Sequence, residues 1–197
     1  VQSSGEASSG IARILSAVHD SSVPQPLIYY LNIYSTYSKS GLYPGSPEIE
    51  RLIMRNCDTL YLSDINPDEI IKLRQNMEQE TLIKNDGIKP TIFNKNGFDV
   101  INDLIPPQTE YGLALIDPPY DKNEDFYDSQ KTICEIIQKW PKGIIMLWYP
   151  INTNQSQMSD KETMIKQIIN ESTIKTLDVQ IHIDSYDGVI KNNKKMY

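Results

Sequence analysis

The chain has 197 residues, of which 39% are hydrophobic and 23% are charged, and its formal net charge is −7 at pH 7. This composition is ordinary for one globular domain that buries a core. The acidic balance argues against a broad basic surface that binds nucleic acid nonspecifically, so any nucleic-acid contact must be local.

No stretch approaches the ~18 apolar residues of a membrane span. Cys57 and Cys134 lie in apolar or helical patterns, where cysteine more often packs as a small hydrophobe than forms a disulfide. We therefore expect a protein of the reducing cytosol that makes no membrane contact.

The first 40 residues predict a helical hairpin. Residues 1–9 are small and polar and predict a loop or disordered lead-in. A second helical stretch, Leu27 to Tyr37, follows a break at Pro24 and Pro26. Its tyrosines can stack on RNA, although such rings more often pack against their own domain. The first helix is indicated by apolar residues at helical spacing, namely Ile11, Ile14, Leu15 and Val18.

The segment Tyr-Pro-Gly-Ser-Pro at 43–47 predicts a turn that opens a helix. Ser46 is the expected N-cap and Pro47 the first helical residue. The helix is expected to turn Ile49, Leu52 and Ile53 inward. The free amides of a helix N-terminus also bind anions, so Ser46 serves either as a simple cap or at a carboxylate site as well.

Two short predicted strands are each followed by polar residues. Thr59 to Ser63 predicts a strand that ends at Asp64, before a capped helix carrying Ile70, Ile71 and Met77. Residues 90–93 predict the next strand, followed by a turn with Asn96 and Gly97. A carboxylate at a strand end suits the hydroxyls of a ribose, yet it is equally typical of a helix cap. Asn96 can read an adenine edge, while Asn-Gly is also a plain turn signal.

The apolar run at 113–116 predicts a strand buried on both faces, as in a parallel sheet. It stops at Asp117, Pro118, Pro119 and Tyr120. The prolines fix a stiff turn with outward carbonyls. Asp117 and the Pro118 carbonyl can then accept from an exocyclic amine while an exposed Tyr120 ring stacks on the base. A strand followed by a proline-rich turn also occurs in many proteins, so the motif alone does not decide.

The remaining segments continue the alternation of helices and strands. A buried strand is predicted at 143–148 and a helix at 159–171. The pattern predicts an α/β fold with a mostly parallel sheet covered by helices. His19 and His182 are too isolated to form a metal site. One more helix is indicated by Tyr127, Ile133, Ile136, Ile137 and Trp140, and an edge strand by Leu177, Val179, Ile181 and Ile183.

Three stretches, at 43–47, 112–120 and 147–150 (Leu-Trp-Tyr-Pro), together resemble the RlmJ family of bacterial 23S rRNA adenine-N6 methyltransferases. The resemblance runs in consistent order from about Gly5 to about Gly188. It implies an α/β, Rossmann-like class I methyltransferase fold that uses S-adenosyl-L-methionine. It further implies an inserted helical subdomain at 10–40, a partial methyltransferase core at 41–188, and a tail at 189–197 that it does not place.

The resemblance also implies roles for single residues. Ser46 meets the methionyl part of the cofactor, Asp64 the ribose hydroxyls, and Asn96 with Gly97 the adenine. The family has an acid where Asn96 stands, and an amide still supplies an acceptor. The target base is held by Asp117, Pro118, Pro119 and Tyr120, and Asp117 also faces the cofactor. The implied partner is 23S ribosomal RNA before full ribosome assembly, bound by a monomer.

Two family features are absent from this sequence, an early His- and Lys-bearing segment and a Gly-rich Asp-Thr-His-Ala-Gly loop. The resemblance places the missing strand between those that end at Asp64 and Asp117, where its loss leaves two unpaired sheet edges. Residues 189–197 also do not resemble the expected final turn and strand. We therefore expect that the natural chain is longer at both ends.

Two alternatives remain open from the sequence. The same chemistry serves DNA adenine and protein-amide methyltransferases, because the Asp-Pro-Pro-Tyr motif or its Asn variant suits several amine and amide acceptors. The other alternative is a truncated, non-catalytic relative that acts as a binding module.

Overall fold

The computed structural model describes residues 24–78, 88–151, 155–172 and 175–180. The chain divides into two compact units, residues 1–97 and 98–197. The predictions for the lead-in, for the first helix of the hairpin, for Ile181 and Ile183, and for the tail at 189–197 lie outside the described residues. None of the helices in the described ranges is long and apolar enough to cross a membrane.

Helices and strands alternate after two initial helices, so the α/β prediction is confirmed. β1 pairs with β2 and β3 pairs with β4, both in parallel. The described strands therefore form two parallel pairs, with no ladder joining them in the described ranges. The elements are α1 (Gln25–Ser38), α2 (Ser46–Ile53), β1 (Tyr61–Asp64), α3 (Pro67–Glu78), β2 (Thr91–Asn94), α4 (Gly97–Leu104), β3 (Gly112–Ile116), α5 (Glu124–Lys139), β4 (Gly143–Leu147) and α6 (Gln155–Glu171).

In the first unit, α2 starts one residue earlier than predicted. Gly45 is its N-cap, in an extended conformation with φ −74° and ψ 170°. The Gly45 carbonyl accepts from the amides of Glu48 and Ile49, both at 3.1 Å. Ser46 is already the first residue of the helix, so the prediction of Ser46 as N-cap is wrong.

The inward face of α2 is narrower than predicted. Leu52 is buried in a cluster with Ile33 and Tyr37 of α1. Ile53 lies one residue further and therefore about 100° around the helix, where it is exposed. Its predicted inward position is wrong.

A buried ionic network holds the helices of the first unit together. Arg51 on α2 pairs with Glu48, with Nη2 and Oε2 2.5 Å apart, and its Nη1 donates to the carbonyl of Met77 on α3 at 3.1 Å. The Tyr37 hydroxyl on α1 donates to Glu48. This network connects three helices, and nothing in the sequence pattern indicated it.

In the second unit, α5 packs on one face of the β3–β4 pair. Ala114 and Ile116 of β3 form a buried cluster with the indole of Trp140, whose Nε1 donates to the Glu110 carbonyl at 3.0 Å. The two strands begin with Gly112 and Gly143, and a Cβ at either position would collide with that indole. The α5 residues in this cluster are Ile133, Ile136 and Ile137.

The opposite face of the β3–β4 pair is exposed. Side chains alternate between the two faces of a strand, so the neighbours of Ala114 and Ile116 point away from the helices. The predicted burial of both faces is therefore wrong for the described residues. The exposed row consists of Leu113 and Leu115 on β3 and of Ile144, Met146 and Trp148 on or just after β4.

One smaller prediction also differs from the structure. Residues 175–180 form no strand, and Leu177 and Val179 are exposed. Alternation alone does not make a strand, because a strand needs a neighbouring backbone to pair with.

We predict that Arg51→Ala lowers the free energy of unfolding by about 3 kcal/mol, because it leaves the Glu48 carboxylate and the Met77 carbonyl without their cation. Arg55 is the matched control, since it pairs with Asp58 at 2.7 Å but its side chain is 79% exposed, against 7% for Arg51. Arg55→Ala should leave stability nearly unchanged. Urea unfolding followed by circular dichroism measures both, and equal losses would contradict the structural role of Arg51.

Candidate active site

The carboxyl ends of β1 and β2 place polar side chains close together in the first unit. Asp64 ends β1 in register with Asn94, which ends β2. The Asn94 amide donates to the carbonyls of Asp64 and Ile65, both at 3.1 Å. These bonds join the two strand ends, and the prediction of a strand that ends in a carboxylate at Asp64 is confirmed.

The sequence left two roles open for Asp64, as a helix cap and as an acceptor for ribose hydroxyls, and the structure gives the cap to another residue. Asn66 caps the following helix, because its Oδ1 accepts from the backbone amide of Asp68 at 3.0 Å. Asp64 Oδ1 instead accepts from the amide of Asn66 at 2.7 Å. This bond fixes the carboxylate at the strand end without making it the helix cap.

Asn96 and Gly97 lie in the turn that follows β2. The Ser63 hydroxyl donates to the Lys95 carbonyl at 2.8 Å and so ties this turn to β1. The Asn96 side chain is exposed, and a Cβ placed on Gly97 would meet no atom within 4 Å. The structure therefore brings Asp64, Asn96 and Gly97 to neighbouring strand ends, whereas Ser46 is exposed at the start of α2.

The second unit presents its polar group at the end of β3. Asp117 follows Ile116 directly, as predicted, and its side chain is exposed. The Trp148 amide donates to the Ile116 carbonyl at 3.0 Å, which extends the β3–β4 pairing to the residue before Asp117. Pro118 is half-buried and Pro119 is exposed. A carboxylate thus stands at the carboxyl end of a parallel strand pair, where α/β folds bind ligands.

Tyr120 is buried, with only 6% of its surface exposed, so the expectation of an exposed ring is wrong. Its φ is +53°, in the left-handed region that bulky residues rarely adopt. The ring contacts Phe126, with centroids 4.6 Å apart, and joins the same cluster as Met164. Its hydroxyl donates to the Trp148 carbonyl at 2.9 Å, and burial raises the pKa of Tyr120 to about 12. Both the apolar ring and its hydroxyl are therefore satisfied inside the unit.

The structure corrects the burial that was predicted at the end of β4. Trp148 was predicted to end a buried strand, yet 60% of its surface is exposed. Tyr149 donates to the Asp178 carboxylate. The Leu-Trp-Tyr-Pro stretch at 147–150 ends the strand that pairs with β3, the strand before Asp117.

Comparison with known proteins places these residues in a family. Residues 1–196 match the RsmJ family model, described as "Ribosomal RNA large subunit methyltransferase D, RlmJ". Two curated relatives are each named "Ribosomal RNA large subunit methyltransferase J". The protein from Escherichia coli K12 is 32% identical over 154 residues, which cover 77% of this chain and 51% of the relative. The protein from Haemophilus influenzae Rd is 27% identical over 158 residues, which cover 78% and 53%. The chain thus spans about half the length of these curated relatives.

A solved structure shares the fold. The crystal structure of protein LPL1258 from Legionella pneumophila, of family DUF519, superposes with a TM-score of 0.64 at 24% identity, covering 79% of this chain and 56% of that one. At this identity the likeness concerns the fold alone. The family match, in contrast, extends over nearly the whole sequence, and the chain therefore belongs to the RlmJ family of ribosomal RNA large subunit methyltransferases.

Proposed function

We propose that this chain carries the acceptor site of a methyltransferase that uses S-adenosyl-L-methionine to methylate the exocyclic N6 amine of an adenine in 23S ribosomal RNA. The observation that carries the proposal is the exposed Asp117 carboxylate at the carboxyl end of β3, followed by two prolines. The names of the two curated relatives, as ribosomal RNA large subunit methyltransferases, support the same reaction class.

The acceptor chemistry follows from hydrogen-bonding groups at this turn. The amine of adenine is a poor nucleophile because its lone pair is delocalised into the ring. The Asp117 carboxylate and the Pro118 carbonyl both accept hydrogen bonds, and two acceptors on the amine favour a more pyramidal nitrogen with its lone pair available. Pro118 and Pro119 have no amide hydrogens that would compete for the carboxylate, and their fixed φ keeps the turn stiff. Holding the adenine amine in the reactive geometry thus contributes most of the expected rate gain.

The first unit carries groups that fit the cofactor. The fixed Asp64 carboxylate suits the two ribose hydroxyls, and the exposed Asn96 amide suits the adenine edge. The open space above Gly97 allows a flat ring to approach the backbone. Ser46, at the start of α2, suits the methionyl carboxylate in this proposal. When bound, S-adenosyl-L-methionine supplies the electrophilic methyl group.

The same proposal also covers the fold, the cellular location, the oligomeric state and the RNA partner. The fold is a Rossmann-like class I methyltransferase fold, with the helical subdomain at 10–40 inserted into a core at 41–188. The enzyme acts in the cytoplasm as a monomer on 23S ribosomal RNA before full ribosome assembly. The net charge of −7 requires a local RNA contact, and the exposed Tyr29 and Tyr43 rings of the first unit offer stacking surfaces for it. The proposal involves no metal ion.

We predict that Asp117→Ala lowers the rate of methyl transfer by on the order of 100-fold or more, because it removes the acceptor that is aimed at the amine. Asp121→Ala is the matched control, since Asp121 is exposed four residues later. Single-turnover transfer of labelled methyl to unmodified 23S ribosomal RNA measures both variants. An Asp117→Ala rate equal to that of the control would refute the role of Asp117, and label on DNA or on a protein amide instead of RNA would change the substrate class.

We predict that Asp64→Asn weakens binding of S-adenosylhomocysteine about tenfold or more, because the ribose hydroxyls lose a charged acceptor. The asparagine retains an Oδ1 that can still accept from the Asn66 amide. Asp68→Asn serves as the control, since Asp68 is exposed in the first turn of α3. Calorimetric titration gives both affinities, and equal binding by wild type and Asp64→Asn would exclude Asp64 from the cofactor site.

A further inference from the structure

Tyr37, in the last turn of α1, is bonded to the chain on both sides of Ser46. Before Ser46, the Leu42 amide donates to the Tyr37 carbonyl at 3.0 Å. After Ser46, the Tyr37 hydroxyl donates to the Glu48 carboxylate. A single residue of α1 therefore holds both the approach to α2 and the first turn of that helix.

Further contacts of α1 hold the residues just before Ser46. The Tyr43 ring lies edge-on to the Tyr34 ring, with centroids 5.7 Å apart, and the Tyr43 hydroxyl lies 3.3 Å from the Tyr30 hydroxyl. Pro44, the next residue, is fully buried. These contacts limit the positions that the backbone in front of Ser46 can adopt.

Glu48 connects Tyr37 to the start of α2. Its amide donates to the Gly45 carbonyl at 3.1 Å, which closes the first turn of the helix around Ser46. The Glu48 side chain is only 12% exposed and Tyr37 only 7%. A hydrogen bond from a buried hydroxyl to a buried carboxylate is strong, because little water competes for either group. Since Glu48 and Ser46 share one helical turn, a shift of Glu48 moves the Ser46 backbone with it.

The same hydrogen bond affects the charge at the start of α2. A helix N-terminus attracts anions, so the Glu48 carboxylate and a ligand carboxylate at Ser46 would repel each other across the first turn. Arg51 pairs with Glu48, and the Tyr37 hydroxyl donates to the same carboxylate. Both partners lower the repulsion that a ligand anion would meet at Ser46.

We propose that Tyr37 positions Ser46 for the methionyl carboxylate of the cofactor, acting through Glu48. This inference rests on the proposed function. It gives helix α1 a part in binding the amino-acid end of the cofactor, whereas Asp64 and Asn96 serve the nucleoside end.

Two ligands separate this positioning role from a general effect on stability. S-adenosylhomocysteine carries the amino-acid carboxylate, whereas 5′-methylthioadenosine keeps the nucleoside and lacks the amino-acid end. We predict that Tyr37→Phe weakens binding of S-adenosylhomocysteine about tenfold and leaves binding of 5′-methylthioadenosine unchanged, because the lost bond supports only the carboxylate subsite. Phenylalanine keeps the ring in its cluster with Ile33 and Leu52. Calorimetric titration gives both affinities, by displacement for the weaker ligand.

A matched control and a double-mutant cycle complete the test. Tyr34→Phe is the control on the same helix, because the contact with Tyr43 is made by the Tyr34 ring, which phenylalanine retains. It should bind both ligands as the wild type does. If Tyr37 acts through the position of Ser46, the loss caused by Tyr37→Phe should be much smaller when Ser46→Ala is already present.

Three results would overturn this inference and leave the proposed function standing: unchanged binding of S-adenosylhomocysteine by Tyr37→Phe, equal weakening of both ligands, or additive losses in the cycle. Wild-type affinity in Ser46→Ala would remove Ser46 from the cofactor site, and the role of Tyr37 would fail with it. If the wild type binds neither ligand, the proposed function fails and this inference fails with it.

Discussion

The junction between the ends of β3 and β4 is the constraint on which the proposed acceptor site depends. The two prolines of the Asp-Pro-Pro turn donate no backbone hydrogen bonds, because neither has an N–H group. The turn is held from outside, by the Trp148 amide on the Ile116 carbonyl and by the Tyr120 hydroxyl on the Trp148 carbonyl. Tyr120 reaches that carbonyl with φ +53°, a conformation that costs about 1–3 kcal/mol. Burial of its ring against Phe126 offsets this cost and keeps Asp117 at a fixed place on the strand end.

In the first unit, hydrogen bonds also join the ends of two parallel strands, but different groups make them. There the ends of β1 and β2 are joined by side chains, with the Asn94 amide on the Asp64 carbonyl and the Ser63 hydroxyl on the Lys95 carbonyl. In both units, side chains at the carboxyl end of a parallel strand pair leave the packed layer and become available to ligands. Such groups keep their positions only if the helices and strands around them are stable. In the first unit the buried Arg51–Glu48 pair supplies part of it, because it connects α2 to both α1 and α3.

Helices and strands were predicted well from the sequence, whereas the burial and the contacts of their side chains were predicted less well. Periodic apolar residues identify α5 and α6, and short apolar runs identify β3 and β4, because both patterns are local. The exposure of Leu113 and Ile144 is not local, since an apolar strand looks the same whether or not another element covers its second face. The direction of Tyr120 depends on one backbone angle and on a carbonyl that lies 28 residues away. The partner of Arg51 on α3 lies 26 residues away and leaves no periodic signal. The strand ends at Asp64 and before Asp117 were accordingly located correctly, whereas the burial of Tyr120 was not.

The central claim is that the end of β3 presents hydrogen-bond acceptors to the amine of an adenine. The most direct measurement incubates the chain with methyl-labelled S-adenosyl-L-methionine and in vitro transcribed 23S ribosomal RNA, digests the RNA to nucleosides, and identifies the labelled product by chromatography and mass. The account predicts label in N6-methyladenosine, because the acceptors at Asp117 and Pro118 match an exocyclic amine. Label in a ring-nitrogen, ribose or carbon-methylated nucleoside, or no label in RNA at all, would contradict it.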